Sequence, residues 1–272
     1  MKNFFLKLFF VACFINAKFS FAYDGNALSA RSQAMGGVGI VFRDANSVFS
    51  NQAGLAALQY YQVSVGAERR FLLTDLQQFS LAFIAPTKTG TFGFSAQQFG
   101  FTDFNETKLG IGFGKRLGNK FDIGVQLNYL QQHISEQPNQ SAFTVEVGII
   151  SNLTKNLKIG FHAFNPLPYS TTTFQKELPS IYTLGMGWQA SKNALLATEA
   201  DENLNFQTNI KCGIEYKAVE QFILRSGIQS NPQGFSAGFG YHSKNFYFDF
   251  SNVFHPILGS SPKVSLTFIF GK

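Results

Sequence analysis

From about residue 60 onward this chain alternates nonpolar and polar residues almost without a break, and that period of two constrains its fold more than any other feature. In 120–132, Phe121, Ile123, Val125, Leu127 and Tyr129 alternate with Asp122, Gly124, Gln126 and Asn128. In 206–216 the nonpolar set is Phe206, Ile210, Cys212, Ile214 and Tyr216; near the end Val264, Leu266, Phe268 and Phe270 alternate with Ser265 and Thr267. Successive side chains of a strand point to opposite faces, so such runs read as strands with one nonpolar and one polar face.

A soluble sandwich alternates too, and composition decides between them. The polar face here is mostly Gly, Ser, Thr, Asn and Gln, and only 14% of the 272 residues are charged, against about 25% in an ordinary soluble domain. The chain holds 33 phenylalanines, and long aromatic and branched residues dominate the nonpolar face. A helical membrane bundle is excluded, because it needs several uninterrupted nonpolar runs of about 20 residues. Long strands with a bulky nonpolar face fit a transmembrane barrel, whose strands need about 9–11 residues. About fourteen are expected, near 60–70, 76–86, 90–101, 104–115, 120–133, 142–153, 157–165, 179–190, 194–201, 206–217, 221–230, 234–243, 245–254 and 262–270. Short Lys-, Asn- and Gly-containing turns follow the even strands, such as Thr87-Lys88-Thr89-Gly90 and Ser191-Lys192-Asn193. Longer loops are expected at 135–141, 165–178 and 255–262. Tight turns on one rim and longer loops on the other mark an outer-membrane barrel, all-β and antiparallel, with both termini periplasmic.

Residues 1–22 read as a secretory signal peptide: Lys2 and Lys7, a nonpolar stretch from Leu8 to Ile15, and small residues before a cleavage point after Ala22. Loss of Lys2, Lys7 and Lys18 removes half of the formal charge of +6. No basic run remains to suggest nucleic acid. Only Cys212 survives cleavage, so no intrachain disulfide can form.

If the aromatic face meets lipid, the other face lines the interior. It carries many glycines, among them Gly93, Gly112, Gly124, Gly148, Gly160, Gly213, Gly227 and Gly238. Curvature of a small barrel is one reading; close packing of the N-terminal segment against the wall is the sharper one. Inward charged or titratable positions include Glu68, Lys108, Asp122, Glu146, Lys158, His162, Lys211, Glu215, Arg225 and Asp249. Confined charges are costly unless paired, so ion-pair networks across the lumen are expected.

Residues 23–59 have a different texture and form the expected hatch, ahead of a barrel over 60–272. They include Arg31, Met35, Gly36 and Gly37, then a segment suited to a short helix capped by Asp44 or Asn46, with Val48, Ala53, Leu55 and Leu58 as nonpolar positions. At Arg31, Met35, Gly36, Gly37, Asp44, Ala45, Asn51, Ala53, Gly54 and Leu55 the chain resembles the PorV/PorQ-like branch of the FadL superfamily of Bacteroidetes outer-membrane barrels. Those open with R-x-x-x-MGG and D-A-x-x-x-x-x-NPAGLA; Gln52 stands where they carry proline. The resemblance implies a hatch folded into a fourteen-stranded barrel. It also implies a role in type IX protein secretion or cell-surface assembly, with secretion-system or envelope proteins as partners besides outer-membrane lipid and lipopolysaccharide. The alternative it implies is a FadL-like channel for hydrophobic small molecules. The export reading is preferred here because the chain leaves little material for a ligand-capturing insertion. His133, His162, His242 and His255 show no metal-ligand spacing, and no Gly-x-Ser-x-Gly or His-Glu-x-x-His pattern occurs, so neither enzyme activity nor a cofactor is expected.

Overall fold

A computed structural model describes residues 29–167, 178–203 and 207–271. The signal peptide and residues 23–28 of the hatch lie outside them. The fourteen strands are β1 (Tyr61–Arg69), β2 (Gln77–Pro86), β3 (Thr91–Gly100), β4 (Phe104–Leu117), β5 (Phe121–Ile134), β6 (Gln140–Asn152) and β7 (Leu157–Phe164), followed by β8 (Ile181–Gln189), β9 (Ala194–Asn203), β10 (Asn209–Lys217), β11 (Phe222–Ser230), β12 (Gln233–His242), β13 (Phe246–His255) and β14 (Gly259–Phe270). Each pairs with its sequence neighbours, and β1 closes the barrel against β14, Tyr61 opposite Phe270 and Glu68 opposite Lys263. Closure leaves no strand edge unpaired, which is what a sheet surrounded by lipid requires.

The nonpolar side of the alternation faces out. Phe143, Leu184, Ile111, Ile228, Leu127 and Phe268 are exposed all around the wall, a continuous nonpolar belt far beyond the patches that water tolerates. Aromatic pairs across adjacent strands reinforce it, as at Phe83–Phe94 and Phe235–Phe254.

The start of β1, the end of β14 and the six even-to-odd connections share one rim, here the turn rim. Ser and Thr side chains close these turns: Thr154 Oγ1 accepts from the Asn156 and Leu157 amides, and Ser191 Oγ from the Asn193 and Ala194 amides. The opposite, loop rim is shorter than the sequence suggested. Strand β14 begins at Gly259, leaving three residues after β13, and β6 begins at Gln140. Pairing continues there because His255 faces Gly259 and Gln132 faces Gln140 in register. Strand β10 begins at Asn209, later than read; 204–206 lie outside the described residues.

The helix read over 44–58 is two separate 3-10 turns, Ala45–Phe49 and Gln52–Ala57. The chain breaks at Asn51, whose side chain accepts from the Ala53 amide and starts the second turn. The α-helix, α1, lies earlier, at Ala30–Ala34.

Candidate functional site: the hatch, its seat and the lumen beyond it

The hatch is a small folded unit inside the barrel. Ser29 caps α1 by accepting from the Ser32 amide. Gly36 and Gly37 then turn the chain with φ of +74° and +86°, which suit residues without a Cβ. Asp44 caps the first 3-10 turn in a capping box with Ser47. Two nonpolar clusters fill the unit: Met35, Val38, Ile40, Val41 and Phe42 with Ala197 of the wall, and Ala45, Val48, Phe49 and Leu55 with Ala82 and Ile84 of β2. Gly54 sits where a Cβ would collide with the Phe42 carbonyl and the Ser47 side chain.

The inward glycines are the hatch's seat. A Cβ on Gly227 or Gly213 would enter the backbone of Met35 and Gly36. On Gly124 it would enter the Gln52–Ala53 peptide, on Gly148 the Asn51 amide, and on Gly160 the Ile40 carbonyl. Gly93, Gly112, Gly187 and Gly238 likewise meet Leu55 or Val48, Gln52, Val41 and Ala34. Hatch backbone contact explains Gly124, Gly160, Gly213 and Gly227; the others meet hatch side chains, and Gly112 and Gly238 lie nearer still to wall atoms. Gly66, Gly110 and Gly240 differ, since they meet only side chains or backbone of the wall itself.

Charged side chains bolt the hatch to this seat. Arg31 holds Glu215 with two bonds of 2.8 Å and Asp44 at 3.1 Å, with its guanidinium 4.1 Å from the centre of the Phe42 ring. Burial alone lowers the Arg31 pKa, but Glu215 and Asp44 outweigh it and raise it above the ordinary arginine value. Glu215 also takes Arg225 at 2.7 Å, which reaches Asp249 at 2.7 Å, and His242 completes the chain at 2.9 Å. Fully buried Glu146 gathers Lys108 at 2.6 Å, His162 at 3.0 Å and the Gln52 amide at 2.7 Å. Gln52, in place of the proline of the resembled family, thus ties the hatch to the barrel.

Asp122 holds Arg43 of the hatch and Arg116 of the wall. Lys211 pairs with Glu199 and Asp201, while Glu199 accepts from the Gly39 and Ile40 amides. Glu68 pairs with Lys263 and accepts from Gln33. Asn51 donates to the Ile40 carbonyl at 2.8 Å, and the Gly36 amide donates to Ser236. The pairs therefore run between nearby strands and to the hatch, not across an open lumen. Lys158 forms no ion pair among the described residues. Glu199, Asp201, Lys263, Arg43, Gln33 and Ser236 were not singled out in the sequence. Strand parity alone marks Glu199 and Lys263 as inward.

Beyond the hatch, toward the loop rim, the lumen wall is two-sided. On β4–β8 the inward residues there are mixed: Phe104, Leu130, Ile134, Ala142, Phe164 and Ile181 are nonpolar, and Glu106, Gln132, Gln140 and Thr183 stand among them on the same face. Leu130, Ala142 and Phe164 are buried, and Lys108 Nζ lies 5.0 Å from the Phe164 ring centre. On the remaining strands the inward residues toward that rim are polar: Glu68, Gln78, Gln97, Asp201, Lys211, Ser251 and Lys263, of which Glu68, Lys211 and Ser251 also bond to the hatch. Phe104, Ile134 and Ile181, nearest the loop rim, are only half-buried. Cys212 is exposed on the outer face. Among the described residues no group of three or more His, Cys, Asp and Glu could hold a metal ion.

No protein-family model matches the chain, and no curated protein matches it by sequence. Solved structures do match its fold. It is similar to the CymD monoaromatic hydrocarbon channel, 14% identical with a TM-score of 0.71 over 90% of this chain and 98% of that one. It is also similar to the Pseudomonas putida toluene transporter TodX, 13% identical with a TM-score of 0.69 over 90% and 99%. A Pseudomonas aeruginosa FadL homologue matches at 11% identity and a TM-score of 0.62 over 90% and 98%. Identities this low establish a shared fold. The matched share exceeds what the barrel strands and their connections supply, so the likeness extends into the hatch.

Proposed function

We propose that this protein is an outer-membrane channel for hydrophobic small molecules of the FadL type, with its turn rim and termini toward the periplasm. The observation that carries this reading is the fold it shares, hatch included, with monoaromatic hydrocarbon channels. That likeness favours passage of small nonpolar molecules over the role in type IX secretion drawn from the opening motif; it adds nothing for the PorV/PorQ-like branch.

The interior supports the same reading. A molecule arriving from the loop rim meets the arc of Phe104, Leu130, Ile134, Ala142, Phe164 and Ile181, where its nonpolar surface leaves water. Directly below lies the hatch, so passage requires it to shift on its glycine seat. The ion pairs of Arg31 and Arg43 with the wall and the hydrogen bonds from the Gly39 and Ile40 amides to Glu199 set the resting position.

Uptake measurements test this. Produced in a Gram-negative host without hydrocarbon channels, the protein is expected to raise initial uptake of a labelled monoaromatic hydrocarbon several-fold over a vector control. Ile134→Asp, delivered to the membrane in equal amount, is expected to stay near the control. Uptake that ignores the presence of the folded wild-type barrel overturns the proposal.

A further inference from the structure

We propose that the turn rim is a docking surface for the anionic headgroups of glycerophospholipids, built from a ring of lysines. The turns repeat a short pattern: Thr87-Lys88-Thr89, Thr154-Lys155-Asn156, Ser191-Lys192-Asn193 and Ser243-Lys244-Asn245, with Lys120 in the β4–β5 turn. The flanking residues do the folding. Thr87 Oγ1 donates to the Gly90 carbonyl and accepts from the Thr89 amide, and Thr154 and Ser191 accept from two amides each.

The lysine in the middle has no such task. Lys88, Lys120, Lys155, Lys192 and Lys244 are all exposed, and their ammonium groups make no ion pair or hydrogen bond among the described residues. A tight turn is satisfied by Asn, Gly, Ser or Thr at such a position, so a cation at five of the six turns calls for a reason outside the turn. Outward-facing Lys115 at the end of β4 adds to the ring. The one exposed acid among the described residues of these turns is Glu220, in the sixth.

The opposite rim has the reverse character. Asp75, Asp103 and Glu136 are exposed in its connections, whose described residues contain no lysine and one arginine, the half-buried Arg70, which lies 3.7 Å from Glu68. Depth supports the assignment as well. Tyr61, Trp188, Tyr216 and Tyr241 are exposed at strand ends bounding the turn rim. Aromatic residues with a polar edge settle at the membrane–water interface. The lysines lie a few residues beyond, at headgroup depth, where long stems carry the charge to phosphate. Short turns of outer-membrane barrels face the periplasm, so the phosphates within reach belong to glycerophospholipids and not to lipopolysaccharide. The inference is independent of what the channel carries.

The test uses the mature protein in phosphatidylcholine nanodiscs with spin-labelled phosphatidylglycerol, phosphatidylcholine or lipid A as probes. Phosphatidylglycerol is expected at the protein surface about 3- to 5-fold over phosphatidylcholine, the preference falling toward unity as salt rises to about 1 M. The variant K88Q/K120Q/K155Q/K192Q/K244Q is expected to lose the preference. Should that variant not fold, K155Q/K192Q is expected to lower the preference in part, and the salt series on the wild type stands by itself. Equal association of the two phospholipids, a preference indifferent to salt, or selection of lipid A instead would each overturn the proposal.

Discussion

The two halves of the barrel interior solve different problems with different residues. Toward the turn rim the wall carries glycine at several points where the hatch backbone presses against it, and every buried charge found there has a partner on the hatch or a nearby strand. Toward the loop rim the wall of β4–β8 carries Phe104, Leu130, Ile134 and Phe164, none of which belongs to the two nonpolar clusters built by the hatch. Contact with a fixed partner of the same chain selects small residues and specific ion pairs. Contact with a passing nonpolar molecule needs only nonpolar surface of adequate size. The hatch is therefore specified by geometry and the lumen beyond it by hydrophobicity.

The contrast breaks most visibly if the bolts are removed. Glu146→Ala leaves Lys108, His162 and Gln52 buried without their common acceptor and is expected to cost about 3–5 kcal/mol, read as a lowered urea midpoint in detergent micelles. Arg31→Ala is expected to act on a similar scale and, in addition, to expose 30–58 to protease before the barrel opens. Next in size, Gly227→Ala forces a methyl into the Met35–Gly36 backbone and is expected to cost about 1–3 kcal/mol, with faster hydrogen exchange in the hatch than in the strands. In the other half, Ile134→Ser is expected to lower the part of hydrocarbon uptake that exceeds the vector control about 10-fold while leaving hatch protection unchanged. The smallest effect belongs to Gly66→Ala, where an added Cβ meets the movable Ser80 hydroxyl; under about 1 kcal/mol is expected, and a larger loss would mean that curvature, not the hatch, sets the glycine pattern.

The barrel could be read from the sequence because alternation is a direct imprint of its geometry. Strand β4, read over 104–115, spans Phe104–Leu117, and β11, read over 221–230, spans Phe222–Ser230. Parity likewise placed Glu146 and Arg225 on the inner face. Which hatch residues meet these inward charges was out of reach, because Arg31 and Glu215 are 184 residues apart and Gln52 and Glu146 94. The hatch was harder still. Its two 3-10 turns have no strong period, and their boundary depends on the Asn51 amide bonding to Ile40 and Ala53. The loop rim was overestimated because Pro262 and Gln140 look like loop residues, yet both pair within the sheet.

Flux through the purified protein tests the central claim most directly. Reconstituted into liposomes, the wild type is expected to pass a labelled monoaromatic hydrocarbon delivered from a nonpenetrating carrier in a saturable manner. Ile134→Asp is expected to pass it about 10-fold more slowly. Folded, heat-modifiable protein that gives no flux above empty liposomes would contradict the account.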